Sequence, residues 1–463
     1  MWAFDLSQFD SVWKVVLNVG LLLVALLVGN AIRRTVPFLR KAFIPSALIG
    51  GLILFLVNLL SNKVFNYELL DRRLMQIITY HALAIGFIAM SFKINDKKQK
   101  GLGVYSIQNG LITGGTYMLQ ATLGILVGLI FYWAGSILFY DTGVLLPLGF
   151  GQGPGNAMTW DVIFTNAGNL NTNGSLGLTI ASVGFIVASI VGVIYINIYK
   201  HKGQIVERQF NLFRKVEDFE TVNEIEDSES VDKLTIQIAF VALAYGLSFL
   251  IMFFFAKLTG WTHVKLFNDV AWGFNFIWGV IVATLLKLLV KFLEKKKVIK
   301  KRYVNNYQMD RISGLAFDLM IIAGVVAIDI EVLKDYVWLI VALCAVGTVI
   351  TVIYVKIMTS LCFKDFRHES FLVNFGTLTG TASNGMILLR EIDPNYETPT
   401  NNIFIISQFP AMVAVAPLLL LLNFSAESYK GCLIALGIFG GLLIAYTVVA
   451  ILLIKLRQKK ALE

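Results

Sequence analysis

The chain of 463 residues is 57% hydrophobic, 13% aromatic and only 15% charged, with a mean hydropathy of +0.73. A soluble domain carries about 25% charged residues, so this composition excludes a soluble enzyme or binding module and leaves an integral membrane protein. The net charge of +9 does not point to nucleic acid, because the Lys and Arg residues gather between apolar runs, where they set topology.

Apolar runs long enough to span a bilayer predict about 11 helices. They fall near 12–32, 46–61, 74–92, 103–139, 175–199, 234–256, 270–293, 312–330, 337–361, 402–423 and 431–455. The first has an acidic flank, Asp5 and Asp10, and no small-residue cleavage site after it, so it reads as a retained helix rather than a signal peptide. Glycine-rich polar segments interrupt the pattern near 145–168 and 371–393. A charged stretch, 200–233, has no apolar periodicity and reads as a central cytoplasmic loop. It separates a first unit, 1–199, from a second, 234–424, and leaves 425–463 as an extra helix and basic tail without a counterpart.

The basic residues orient these spans. With the N-terminus outside, the inner loops hold Arg33, Arg34, Arg40, Lys41, Lys93, Lys97, Lys98, Lys100, the stretch Lys291–Arg311, Lys364, Arg367 and the tail Lys455–Lys460. The outer loops hold only Lys63, Arg72, Arg73, Lys257, Lys265, Lys334 and Lys430. Five spans precede the central loop, so the second unit starts on the opposite side from the first. The expected fold is an all-α polytopic membrane protein of two inverted-topology repeats, each with a re-entrant segment, with the C-terminus in the cytoplasm.

The two interruptions match each other. Phe150-Gly151-Gln152-Gly153-Pro154-Gly155-Asn156-Ala157 and Phe375-Gly376-Thr377-Leu378-Thr379-Gly380-Thr381-Ala382 both read Phe-Gly, three residues, Gly, one residue, Ala. Gly-Pro-Gly breaks a helix by removing a donor and freeing the dihedrals. Broken backbone at membrane depth is tolerated only inside protein or beside a watery path. A matched pair of such breaks marks the solute site of a transporter. The first segment offers Gln152, Gly153, Gly155, Asn156, Thr159 and Asp161, and the second Thr377, Thr379, Gly380, Thr381, Ser383 and Asn384. Carbonyls, hydroxyls and amides suit sodium, and free N–H groups at half-helix N-termini suit a carboxylate. Asp318, the one acid near the middle of an apolar span, is by default a candidate for sodium or a proton, with a structural partner to a neighbouring helix as the lesser alternative. Gln108, Asn109, Thr113 and Thr116 form a polar stripe that either faces the path or bridges helices. His81 and Arg390 read as structural or interfacial. The cysteines Cys344, Cys362 and Cys432 form no metal or disulfide pattern.

Phe38-Leu39-Arg40-Lys41-Ala42-Phe43-Ile44-Pro45 with Gly50-Gly51, the two glycine-rich segments and the central loop together resemble the bacterial sodium/glutamate symporter family over roughly residues 10–425. The family's first loop is typically Ser-Gly-Gly-His-Gly-Thr-Gly-Ala-Ala, whereas this chain has Gly149 to Ala157 with Gln152 and Asn156. The resemblance implies a cell-membrane homodimer that couples inward sodium flow to uptake of an acidic amino acid, glutamate first, by alternating access. It also implies a mobile core carrying the two loops against a static scaffold. Beyond sodium as the coupling ion, no cofactor is expected. The expected ion ligands are Asp318, Thr377, Thr379 and Asn156. The alternatives are a sodium/proton exchanger centred on Asp318 or an exporter of an organic anion. A membrane sensor or intramembrane enzyme is disfavoured, because no catalytic constellation is present.

Overall fold

The computed structural model describes residues 13–93, 102–135, 139–205, 232–262, 271–298, 301–394 and 397–462. Most of the expected central loop, 206–231, lies outside the described residues. The first unit forms α1 (Lys14–Thr35), a short α2 (Pro37–Lys41), α3 (Ser46–Phe65), α4 (Arg72–Phe92), α5 (Leu102–Trp133), α6 (Pro154–Asn166) and α7 (Ser175–His201). The second forms α8 (Lys233–Thr262), α9 (Asn275–Lys295), α10 (Asn306–Val326), α11 (Val337–Cys362), α12 (Arg367–Thr379), α13 (Ala382–Ile392) and α14 (Thr400–Glu427), and α15 (Tyr429–Leu462) follows.

Ten helices among the described residues are long and apolar enough to cross a membrane. The expected eleventh is α10. Its 21 residues form a helix, but every 18-residue window of it contains Asp310, Arg311 and Asp318. The all-helical polytopic fold is therefore as expected, with α10 the polar member. Leu27, Leu60, Phe254, Leu285, Leu420 and Ile444 are exposed on the outside of the bundle, the apolar girdle that a membrane protein requires.

The helices pack in two groups. In one, α10 lies along α4, α3 packs on α1 and α10, and α9 packs on α4 and α8. In α1 and α3 the backbones touch through small residues: a Cβ on Gly50 would strike the Ala25 carbonyl, the close approach that holds helices together where no hydrophobic force acts between them. In the other group, α5 is the axis against which α11, α14 and α15 pack, and α12 packs on α11 and α13. The groups meet where α6 and α7 rest on α4 and α10.

Residue Asp161 fixes α6 to α7. Its carboxylate is fully buried. It accepts hydrogen bonds from the Thr172 hydroxyl and from the Gly177 backbone N–H at 3.0 Å, with the Thr165 hydroxyl at 3.4 Å. Gly177 is in the first turn of α7, where N–H groups have no partner within the helix and the dipole favours an anion. Although it stands in the polar first segment, Asp161 is thus engaged as a cap. Asp161→Ala strands several buried donors at about 1–3 kcal/mol each. A loss of about 3 kcal/mol or more is expected, read as a fall in melting temperature in detergent, with Asp161→Asn between the two.

Candidate functional site

A helix breaks in each of the two glycine-rich segments. The first runs through a wide π-type turn, Leu148–Gln152, to Gly153 at φ 83°, ψ −175°, and α6 then begins at Pro154. Proline is favoured at this first position, since its missing N–H had no helical partner. The second ends α12 at Thr379, passes through Gly380 at φ −144°, ψ −102° and extended Thr381, and starts α13 at Ala382. Phe150 and Phe375, which open the two motifs, are both fully buried anchors.

The breaks touch. A Cβ placed on Gly153 would lie 3.8 Å from the Thr381 methyl, 3.9 Å from the Gly380 carbonyl oxygen and 3.8 Å from the Met320 methyl of α10. A Cβ on Gly184 of α7 would strike the Thr379 carbonyl. Two helix N-termini, of α6 and α13, therefore start on either side of one contact. Their first N–H groups have no partner within the helix and carry the positive ends of the dipoles.

Around this contact the structure leaves polar atoms buried without a hydrogen-bond partner: Gln152 Oε1, both amide atoms of Asn156, Thr381 Oγ1 and Asn384 Nδ2. Asn156 is 0% exposed and Asn384 5%. Buried polar groups are normally satisfied, and each orphan calls for an explanation. Both breaks carry such orphans. Gln120 on α5 belongs with them. Its Nε2 donates to the Thr351 hydroxyl (2.8 Å) and to the Leu378 carbonyl (3.0 Å), at the end of α12, while its Oε1 is buried and unpartnered.

The other expected site residues are placed differently. The hydroxyls of Thr159, Thr377 and Thr379 each donate at 2.7 Å to the carbonyl four residues back in their own helix; they retain lone pairs for a cation but have no proton to offer an anion. Gly155 packs against Leu83 of α4. Ser383 is exposed. Asp318 is two residues from Met320, hence about 200° around α10. Met320 reaches Gly153, whereas Ile322 and Val325, on the Asp318 side, meet Gly51 of α3. The structure thus does not bring Asp318 together with Thr377, Thr379 and Asn156.

The α5 stripe bridges helices. Gln108 donates to the Ala450 carbonyl (3.0 Å) and Asn109 to the Ser407 hydroxyl (2.8 Å), while Asn374 donates to Asn109 Oδ1 (2.8 Å). His81 Nδ1 lies 2.5 Å from the Tyr245 hydroxyl, a structural pair. The three cysteines are buried and not in disulfides.

A family model described as sodium/glutamate symporter matches residues 12–371. The match includes the first break and stops just before the second. No curated protein matches the chain. A polytopic helical membrane fold, a helix broken at Gly153 and a family match over more than three quarters of the chain coincide, and the chain belongs to the sodium/glutamate symporter family, whose members are sodium-coupled glutamate transporters.

Proposed function

We propose that the meeting of the two breaks is the solute site of this symporter, and that α5 to α7 with α11 to α14 form the moving core of two inverted repeats. The observation that carries this reading is the group of buried, unpartnered polar atoms on Gln152, Asn156, Thr381 and Asn384. A glutamate carboxylate fits the N–H groups of Gly155 and Asn156 at the start of α6, and a second fits Ala382, Ser383 and Asn384 at the start of α13. Sodium, a hard cation without directional demands, is suited by the oxygens of Gln120, Gln152, Asn156 and Thr381, supplemented by the lone pairs of Thr377 and Thr379. On this reading sodium binds first and offsets the desolvation of the incoming anion. The loaded core then moves, and both are released inside. The N-terminus lies outside and the C-terminus in the cytoplasm, by the distribution of basic residues, and the family resemblance supports a homodimer.

Melting temperature of the purified protein tests the reading. A ligand that binds only the native state stabilises it by about 2.7 kcal/mol at a concentration of 100 times its dissociation constant. Glutamate should raise the melting temperature in sodium and leave it unchanged in potassium. A response to sodium or pH alone, with none to glutamate or other acidic amino acids, would instead favour an ion exchanger. Asp318 is assessed separately. Because it lies across α10 from the break, Asp318→Asn should keep sodium-dependent glutamate uptake within severalfold of wild type. Uptake in proteoliposomes that loses its sodium dependence in this variant would put Asp318 in the coupling site.

A further inference from the structure

Asn384 lines a narrow crevice with Phe43, Ala188, Ser189, Ile387 and Leu388. Its amide nitrogen lies against Gly380, since a Cβ built there would come within 2.6 Å of it, so the same side chain borders both the second break and the crevice. The crevice runs from Asn384, in the first turn of α13, to Ile387 and Leu388 one turn further on. That direction leads toward the end of α13 where Glu391 pairs with Lys200 of α7 at 3.8 Å. Phe43 belongs to the turn directly after α2, which ends in Arg40 and Lys41. The crevice therefore lies between Asn384, beside the second break, and the basic end of α13, and Phe43 lines it.

The backbone at Phe43 makes its side chain conspicuous. Its φ is 54°, a left-handed conformation that glycine adopts freely and a bulky residue rarely does. The other non-glycine residues with positive φ among those described are Asn66 and Asn173, a tolerant type, and Lys297, which is exposed. Among these four, Phe43 alone carries a ring, and it packs against the large core of the α5 group. The turn is held by the Phe43 N–H to Arg40 carbonyl bond (3.2 Å), and its carbonyl lies 3.4 Å from the Ser189 hydroxyl. An L-residue in this conformation is strained where glycine would not be, so an aromatic ring here calls for a role of its own.

We propose that Phe43 is the gate on the basic side of the solute site, its ring closing the crevice through which Asn384 communicates with that face. The inference rests on the breaks being the solute site, and it adds the residue that controls access from one side.

The experiment uses the full chain carrying Ser189→Cys, a near-isosteric thiol at a buried crevice position. A membrane-impermeant thiol reagent is applied to the basic face, with the native chain as the control for its three buried cysteines. Phe43→Gly removes the ring and relieves the backbone, so the variant should fold. Labelling of the Ser189→Cys thiol should become several-fold faster in Phe43→Gly and also in Phe43→Ala, which removes the ring without relieving the backbone. Unchanged labelling in Phe43→Gly overturns the gate. Glutamate stabilisation in sodium, measured on wild type and Phe43→Gly, separates the two ideas. If wild type shows none, the solute-site reading fails while the labelling result still decides whether Phe43 closes the crevice. If both show it and labelling does not change, the gate alone fails.

Discussion

Asn156→Leu should yield a protein that melts at a higher temperature without ligand and no longer responds to glutamate in sodium. Asn156 is 0% exposed, and neither atom of its amide has a hydrogen-bond partner. Each orphan costs the apo protein about 1–3 kcal/mol of desolvation. Leucine has a similar volume, removes both orphans and gains apolar burial, against a fitting cost of about 1.5 kcal/mol or less for a volume-conserving change. The first effect wins, and a net gain of about 1–3 kcal/mol is expected. The same change deletes one oxygen for sodium and one donor for a carboxylate at the start of α6. Apo melting temperature and the glutamate-induced shift, measured side by side, check both halves. A variant that melts earlier than wild type without ligand would mean that the amide is satisfied in the apo protein, and Asn156 would leave the site. Asn384→Leu should follow the same pattern more weakly, since only its Nδ2 is both buried and unpartnered.

The opposed signs are what distinguish a binding residue from a structural one, and they show which parts of the site could be read in the sequence. The breaks could be, because Gly-Pro-Gly and the echoed Phe-Gly pattern act through local backbone chemistry. Gly153 and Gly380 are where the helices stop. Which polar side chains remain free could not be read, because that depends on partners distant in the chain. Asp161 and Asn156 stand five residues apart in one segment. Asp161 is engaged by Thr172 and by Gly177 of α7, while Asn156 has no partner. Threonines are ambiguous for a different reason: in a helix their hydroxyls turn back to the preceding carbonyl, as Thr159, Thr377 and Thr379 all do. Gln120 is not among the residues expected at the site, although the sequence carries a signal for it. The stripe Asn109, Thr113, Thr116 continues at helical spacing to Gln120, and extending it by one turn finds the residue that touches the second break. Asp318 stood out by its charge within an apolar span, yet charge alone does not say which side of α10 a residue faces. The expected fourth span, 103–139, also ran too long. The helix stops at Trp133, and Phe139 belongs to the buried core that leads into the first segment.

Gly153→Ala should weaken glutamate binding strongly while leaving the protein folded. Two effects compete at this position. The first is steric: an added Cβ would meet Met320, Thr381 and Gly380 at 3.8 to 3.9 Å, which is ordinary van der Waals contact and costs nothing. The second is conformational: φ 83° with ψ −175° lies in a region that is essentially glycine's alone, where another residue is strained by about 1–3 kcal/mol. The strain decides. It is small beside a fold stability of about 5–15 kcal/mol, so the variant should express and melt slightly earlier than wild type. It is large for a site whose geometry depends on this one residue, because relaxing Gly153 swings the first turn of α6 away from Thr381. If the ligand must restore the break against that strain, the glutamate dissociation constant rises by the same free energy, about fivefold to 150-fold. Gly155→Ala is the informative contrast. There the backbone is helical and the Cβ would crowd Leu83 at 2.8 Å, so the loss should fall on packing between the two helix groups, and so on apo stability, rather than on affinity. Titrating glutamate in sodium by melting temperature gives both quantities for each variant. An unchanged dissociation constant in Gly153→Ala would show that the conformation of the first break is not used in binding, and the convergence of the two N-termini would then need another purpose.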